Sequence, residues 1–413
     1  IVIEKADFGK EAASGLNAGQ FLTGWAKPVD VMLAELAQQE LRSGQSAAAA
    51  GLRAERRVRA FLRRTVEGCH RLAELDHAYN LRASVQRGAL MAAISEADME
   101  KIKTGYAFME RSNFRTLMPL VMRRRPPFFD VLSAHDISKQ YGTAEGLYAG
   151  GIVDHFGGSF RPRKFLIGLM RALQKRGVRF FSQTEAQSID IVDNHIAVFC
   201  ENGATVRADM LFMANAYARH INGDMRERAI YEYDYVVQLE MPEDAQVLMS
   251  GNVMSDTREP CFYARRHGQF LYMGYEETAE TSPELTRAVA QRTLKEAKRI
   301  FPALREANES DIKSAWSGRV FYTLDDYPFV ERRYGGRVIA FAAPSDHGNA
   351  IAMRVGQIVG YFAACTTLRK ADGDYPQRRT IEQQLRLFEE FPKGSRLRPG
   401  RRYQEAAWRE EED

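Results

Sequence analysis

The chain has 413 residues, 45% hydrophobic and 27% charged, which is enough for two or three globular domains. Its 58 basic and 54 acidic residues leave a net charge of only +4. The basic residues are scattered rather than gathered on one face with aromatic residues, which argues against nucleic-acid binding. No apolar run reaches the ~20 residues that span a bilayer, so we expect no membrane span.

The four cysteines, Cys69, Cys200, Cys261 and Cys365, lie far apart and include no C-x-x-C pair. This spacing argues against a zinc site and against a disulfide framework, and it suits a reducing compartment. We therefore expect no metal site and a cytoplasmic location.

The chain opens with a short apolar run that ends in an acid, from Ile1 to Glu4, followed by Lys5 and a small-residue segment from Ser14 to Gln20. The second strand of a dinucleotide-binding unit ends in this way, and its carboxylate binds the ribose hydroxyls of the adenosine. Other buried strands share the pattern, so this opening gains weight only from the rest of the chain. The first strand, the glycine-rich turn and the helix that normally stand ahead are absent from this sequence.

Residues 29–76 have the apolar spacing of a helix. The next segment, 79–92, has the pattern of a strand, a glycine turn and a second strand. Ser95 is then the predicted N-cap of a helix that continues to Met109. The glycine pairs at 150–151 and 157–158 predict tight turns. A helix over 163–175 follows, and strands are predicted at 178–181, 186–191, 195–200 and 210–216.

Apolar and polar residues alternate between 231 and 276, which is typical of an antiparallel sheet. A helix at 283–300, a buried strand at 338–343 and a helix from about 350 complete the order. This interleaving predicts one cofactor-binding domain that a sheet-forming domain interrupts twice. We assign residues 1–76, 150–228 and 315–385 to the first domain, 77–149 and 229–314 to the second, and 386–413 to a C-terminal tail.

The turn from Pro344 to Ala350 joins the last buried strand to a long helix, so backbone N–H groups and the positive helix end point at whatever lies above it. A phosphate or a flavin ring that becomes negative on reduction fits there, and an ordinary strand-to-helix connection is the alternative. The sequence contains no nucleophile elbow, no H-E-x-x-H and no P-loop.

Five segments, at residues 2–20, 150–162, 208–217, 316–328 and 340–348, carry a resemblance through their order and spacing. The chain resembles the FAD-dependent oxidoreductases of the D-amino-acid oxidase superfamily. Within it, the chain is most similar to the amine-oxidising branch with γ-glutamylputrescine oxidoreductase, glycine oxidase and sarcosine oxidase. The resemblance implies an α/β fold. A Rossmann-like FAD-binding domain, here without its first βα unit, is interleaved with an α+β antiparallel-sheet substrate domain.

The resemblance also implies roles for matching positions. Glu4 would hold the adenosine ribose, with Lys5 beside it, and the backbone near Ala186 would meet the adenine. The pyrophosphate and the flavin face would be met by Ser14, Asn17, Gly19 and Gln20. The edge of the isoalloxazine ring would be lined by Gly318, Arg319, His347, Gly348, Asn349 and Ala350. Val320 stands where sarcosine oxidases carry the cysteine that tethers the flavin, so FAD is expected to be non-covalent.

The implied reaction is the oxidation of an amine or amino acid, with hydride transfer to flavin N5 and hydrolysis of the imine. Oxygen or an electron carrier is the final acceptor. Because the central strand and its glycine turn are missing, we expect the chain to be an incomplete copy that binds FAD poorly. A carrier-dependent dehydrogenase and a non-catalytic remnant that binds a partner are the alternatives.

The resemblance assigns no catalytic residue, and the candidates are Arg265, Tyr233 and His347. Arg265 would hold a substrate carboxylate through two parallel bonds; the alternative is a surface arginine on an edge strand. Tyr231, Tyr233 and Tyr235 alternate, so they share one face, either as the roof of a pocket or as packing. His347 is either a base or, as is more common for a lone histidine, a hydrogen-bonding residue.

Overall fold

The computed structural model describes residues 1–24, 28–112, 128–193, 195–215, 229–248, 252–323, 327–342 and 347–372. The α-helices within these ranges are α1 Ala13–Leu16, α2 Val29–Arg42, α3 Ala47–Tyr79, α4 Glu96–Arg111, α5 Ala134–Tyr141, α6 Pro162–Gln174, α7 Pro283–Ile300 and α8 Gly348–Asp372. The strands are β1 Val2–Ile3, β2 Gln20–Phe21, β3 Gln86–Ala93, β4 Phe129–Ser133, β5 Gly150–Ser159, β6 Phe180–Phe181, β7 Ala186–Val192, β8 His195–Cys200, β9 Thr205–Ala208, β10 Leu211–Met213, β11 Ala229–Glu240, β12 Val253–Asp256, β13 Tyr263–His267, β14 Phe270–Gly274, β15 Glu277–Thr278, β16 Ile312–Thr323, β17 Phe329–Arg333 and β18 Val338–Ala342.

Ten of these strands form one large sheet in the order β15-β11-β14-β13-β12-β3-β5-β2, with β16 also paired to β11 and β4 to β5. One face of this sheet packs with α7 in a core that includes Val237, Leu271, Met273 and Leu294. The antiparallel sheet predicted for 231–276 is confirmed, although β12 pairs with β3 in parallel. Strand β2 pairs with β5, so the segment just after α1 belongs to the large sheet.

The parallel part of the fold is smaller. Strand β1 pairs with β6, and β10 pairs with β18, both in parallel. The antiparallel sheet β7-β8-β9 covers them, because Ile3 of β1, Ile196 of β8 and Val338 of β18 share one apolar cluster. The predicted α/β class is thus confirmed, whereas the predicted domain boundaries stay a prediction.

Two predictions about chain segments are wrong in part. Residues 29–76 form two helices, because Gly44 takes a φ of +87° and Ser46 starts α3 by accepting a hydrogen bond from the Ala49 N–H at 3.4 Å. Helix α3 then continues to Tyr79, so the first of the two strands predicted over 79–92 does not form. Residues 81–85 are irregular, and the Ala83 N–H donates to the Asp76 carboxylate at 2.9 Å instead of to a neighbouring strand.

The glycine pairs at 150–151 and 157–158 lie inside strand β5 rather than in tight turns. A Cβ on Gly151 would come within 2.8 Å of the Met91 carbonyl oxygen, and one on Gly158 within 1.9 Å of the Gln86 oxygen. These glycines let β5 lie close to its neighbours, which is the other reason for glycine in a strand.

Other predictions are confirmed. Ser95 caps α4 by accepting from the Asp98 N–H at 3.1 Å, and Pro162 is the first residue of α6. The strands β7, β8 and β18 and the helix α7 lie where the sequence placed them. Residues 344–346 and the predicted tail at 386–413 lie outside the described residues.

Candidate functional site

The first twenty residues and the start of α8 meet directly. The Asn349 side-chain amide donates to the Asn17 side-chain oxygen at 3.1 Å and to the Gln20 carbonyl oxygen at 2.6 Å. The same Asn17 oxygen accepts from the Gly19 N–H at 2.9 Å. Four of the predicted cofactor-binding positions are therefore joined in one hydrogen-bonded network, although 332 positions separate Asn17 from Asn349.

The residues predicted for the adenosine end also lie together. The Glu4 carboxylate accepts from the Ala6 N–H at 3.2 Å, and its backbone oxygen accepts from the Thr184 N–H at 2.9 Å. Ala186 begins β7 two residues later and packs against the same apolar cluster as Ile3. Glu4, Lys5 and Ala186 are thus grouped at the end of β1, and exposed Ser14 lies farther along, on α1.

The large sheet forms one wall of this site, and the amino end of α8 forms the other. The Trp316 indole N–H donates to the Leu16 carbonyl oxygen at 2.6 Å, and a Cβ on Gly318 would lie 3.4 Å from the Leu16 Cβ. The Ser255 hydroxyl donates to the Gln20 side-chain oxygen at 3.0 Å. The segment from α1 to β2 therefore lies between the large sheet and the amino end of α8.

Arg319 points to the other face of the sheet. Its Nε donates to the Tyr233 hydroxyl at 2.7 Å, and its guanidinium lies 4.8 Å from the centre of the Tyr231 ring. Neighbouring residues in a strand point to opposite faces, so Gly318 faces α1 while Arg319 faces away from it. The sequence placed both positions on one edge of the flavin. In the structure the Arg319 side chain instead points away from the face on which Gly318 contacts α1.

The three tyrosines of β11 share a face, as their alternation predicted. The rings of Tyr231 and Tyr233 are 6.1 Å apart and perpendicular, and both lie against Arg319. Tyr235 is 1% exposed, and its hydroxyl is 2.9 Å from the Thr278 hydroxyl. This face lies opposite to that of Trp316 and Gly318, so Tyr233 is not brought to the segment that joins Asn349.

Arg265 is a catalytic candidate that contacts this segment, at Gly19. It is 5% exposed on β13, an interior strand of the sheet, so it is not a surface arginine on an edge. Its Nη1 donates to the Phe160 oxygen at 3.0 Å, its guanidinium lies 4.4 Å from the centre of the Tyr272 ring, and a Cβ on Gly19 would lie 3.2 Å from its Cζ. Burial lowers the pKa of Arg265 to about 10, which leaves it charged at neutral pH.

His347 precedes the first residue of α8, at the end of the predicted turn. Burial lowers its pKa to about 4, because the charged imidazolium loses its hydration there. The ring is therefore neutral at neutral pH, a form that can accept a proton but is a weak base.

These residues fit a dinucleotide with a flavin. Gly19 has a φ of +81°, and any side chain there would collide with the Phe160 oxygen, 2.2 Å from the Cβ position, so only glycine lets the backbone turn here while it packs against Phe160. The Glu4 carboxylate would suit a ribose, and the positive amino end of α8 would suit a reduced flavin ring. In the described ranges, no cluster of three or more His, Cys, Asp or Glu is placed to hold a metal ion.

Several contact residues escaped the sequence reasoning. Tyr272 and Ser255 reach the site from β14 and β12, and only the pairing of these strands with β13 shows it. Trp316 carried part of the resemblance, but its bond to Leu16 connects positions 300 residues apart and has no local signal.

A family model for FAD-dependent oxidoreductases (DAO) matches residues 1–362. The chain belongs to this family and is an FAD-dependent oxidoreductase, as its sequence predicted. No curated protein sequence matches it. Of the α-helices that the structure describes, none is long and apolar enough to cross a membrane.

Solved structures share the fold. Glycine oxidase from Geobacillus kaustophilus is 17% identical, with a TM-score of 0.61, and the match covers 87% of this chain and 86% of that one. Iminodiacetate oxidase from Chelativorans sp. BNC1 is 14% identical, with a TM-score of 0.61 and coverage of 91% and 90%. L-proline dehydrogenase from P. horikoshii is 15% identical, with a TM-score of 0.60 and coverage of 77% and 80%.

Proposed function

We propose that this protein oxidises an amine or an amino acid with FAD. The observation that carries the proposal is the network of Asn349, Asn17, Gly19 and Gln20, because it joins the positions predicted for the cofactor beside a sheet wall. The names of the structures with the same fold support the substrate class, since each of them acts on an amine or amino acid.

In this proposal the residues at the end of β1 hold the adenosine, with Glu4 on the ribose and the backbone at Ala186 near the adenine. Asn17, Gly19 and Gln20 position the flavin against α8, together with Gly348, Asn349 and Ala350. When bound, FAD accepts the hydride from the carbon next to the amine nitrogen, and water hydrolyses the resulting imine. Val320 offers no thiol, so the cofactor is held without a covalent bond at this position.

The wall of the large sheet supplies the position of the substrate. Trp316 and Gly318 pack against Leu16 and Tyr272 packs against Trp316, and we expect this packing to keep water from the reacting carbon. His347 is neutral at neutral pH. Arg265 supplies a positive charge beside Gly19, which suits a substrate that carries a carboxylate.

We propose oxygen or an electron carrier as the final acceptor, since the related structures include both oxidases and a dehydrogenase. A cytoplasmic location is supported by the free thiols of Cys69, Cys200 and Cys261. A non-catalytic member of the family that keeps the fold is the second candidate, and the same experiment tests it.

The test uses the protein expressed from its complete reading frame. We expect it to purify with flavin absorbance, or to acquire it when FAD is added, and denaturation should release the flavin. Anaerobic addition of glycine, sarcosine, proline or a polyamine derivative should bleach the absorbance of the oxidised flavin for at least one compound. A protein that binds FAD but is reduced by none of them contradicts amine oxidation, and one that never binds FAD favours the non-catalytic candidate.

A further inference from the structure

Four positively charged or protonatable side chains converge at the amino end of α6. Arg161 is the residue before the helix, and Lys164 lies in its first turn. Arg265 and His267 are two residues apart on β13, so they point to the same face of the sheet. The hydrogen bond from Arg265 Nη1 to the Phe160 oxygen, at 3.0 Å, brings the guanidinium to the start of the helix.

Among the residues that the structure describes, no acidic side chain balances this charge. Within the part of the chain that the structure describes, none of the four groups forms an ion pair, and the buried Nε of Arg265 has no hydrogen-bond partner. Burial, followed by the charges of Arg161, Arg265 and Lys164, lowers the pKa of His267, and no carboxylate opposes them. No side chain caps the 13-residue helix α6 either.

A buried guanidinium without a counter-charge is costly for a folded protein. The cost is offset when an anion binds, since a guanidinium forms two parallel bonds to a carboxylate or phosphate. The free N–H groups at a helix start attract the same ligand through hydrogen bonds and the helix dipole.

We propose that the amino end of α6, with Arg161, Lys164, Arg265 and His267, is a binding site for an oxyanion of the carboxylate or phosphate class. Exposed Lys164 is at its outer end, and Arg265, 95% buried and beside Gly19, is at its inner end. The site follows from the charges and the packing, and only the assignment of its ligand to the substrate rests on the proposed amine oxidation.

The anion has two possible sources. It is either an anionic group of the substrate itself, which reaches the flavin side through Arg265, or a separate solute such as inorganic phosphate. Both sources present the same chemistry to the four side chains, so the experiment must separate them.

The first arm measures binding without turnover. Thermal unfolding of the protein is followed at increasing inorganic phosphate, with sodium chloride added to keep the ionic strength constant. We expect a saturable rise of Tm, because a ligand that binds only the folded state stabilises it. In the Arg161→Gln/Lys164→Gln double variant we expect the apparent Kd to rise at least tenfold.

The matched control replaces two exposed cations at the other end of α6, in the Arg171→Gln/Lys175→Gln double variant. It should keep the response to phosphate. The Arg265→Gln variant should lose it, and its own Tm in chloride is the reference, so any loss of stability does not mask the result. An equal phosphate response in all four proteins, or none in the unmodified protein, overturns the proposal.

The second arm separates the sources in steady-state assays with an amine that reduces the flavin. If the anion belongs to the substrate, phosphate raises the apparent KM and leaves kcat unchanged, and the effect is absent from the Arg161→Gln/Lys164→Gln variant. If the anion is a separate solute, phosphate binds with the Kd of the first arm and the KM does not change. Either result supports the oxyanion site and assigns its ligand.

Discussion

The large sheet and the small parallel sheets differ in how completely their apolar side chains are buried. In the core between the large sheet and α7, Val237, Phe262, Leu271 and Met273 are 0% exposed. The parallel strands are two to five residues long and leave Val2, Phe181 and Phe212 between 37% and 44% exposed. The difference indicates that the large sheet is the more tightly packed of the two regions.

The sharpest test of this difference removes one phenyl ring from each region. Phe262→Ala should lower the free energy of unfolding by about 3–5 kcal/mol, because a fully buried ring is replaced by a cavity. Phe212→Ala, at an exposed ring, should cost less than about 1 kcal/mol. Urea denaturation of both variants measures the two costs, and similar values would mean that the regions are equally packed.

A second test acts where α3 touches α8. A Cβ on Gly68 would lie 1.8 Å from the Ala350 carbonyl oxygen, so Gly68→Ala forces the amino end of α8 away from α3. We expect a loss of about 2–3 kcal/mol from this overpacking, together with weaker FAD binding.

The control lies on the same helix. Gly51→Ala meets nothing within 4 Å and should stabilise α3 by about 0.5–1 kcal/mol, with unchanged FAD affinity. Urea denaturation and FAD titration of both variants measure these effects. If Gly68→Ala changes neither the free energy of unfolding nor the FAD affinity, α3 and α8 are free to separate.

The third prediction concerns acid. The pKa of His347 is about 4 in the folded protein, below the ordinary value of 6.5. As pH falls below 6.5 the unfolded chain takes up a proton here and the folded chain does not, so stability decreases until about pH 4. Between pH 7.5 and pH 5 this amounts to about 2 kcal/mol, which His347→Asn should remove.

Exposed His195, which lies 3.4 Å from the Asp209 carboxylate, provides the comparison. His195→Asn should leave the loss on acidification nearly as it is in the unmodified protein. Urea denaturation of the three proteins at both pH values measures the effect, and a loss that persists in full in His347→Asn would show that other groups cause it.

The fourth and smallest effect is expected at the junction where Asn349 bonds to Asn17 and Gln20. Asn349→Ala removes the donor to Asn17 and Gln20, two bonds worth about 0.5–1.5 kcal/mol each, so FAD should bind about tenfold more weakly. Titration with FAD measures the affinity of the variant. Asn308→Ala, which uncaps a turn after α7, should leave FAD binding unchanged, and equal affinities for all three proteins would mean that the junction does not position the flavin.

The sequence predicted the parts of this structure that local rules control. The Ser95 cap, the proline at the start of α6 and the alternation in β11 each depend on a few neighbouring residues. The meeting of Asn17 with Asn349 came from the family resemblance, since no local pattern joins the two ends of the chain.

What the sequence missed depends on partners far along the chain. The glycines of β5 signalled turns because the crowding by Met91 and Gln86 is invisible without the neighbouring strands. The burial of Arg265 likewise follows from the position of β13 inside the sheet. The opposite directions of Gly318 and Arg319, in contrast, follow from strand periodicity alone and were open to prediction.

Strand β2 makes Gln20 a member of the large sheet through its pairing with β5. Gln20, beside the proposed position of the flavin, and the wall with Trp316 and Gly318 are consequently parts of one continuous hydrogen-bonded sheet. We therefore expect Gln20 and the large sheet to move together, so that the dimensions of the substrate, rather than a closing movement of two lobes, decide which molecules are accepted.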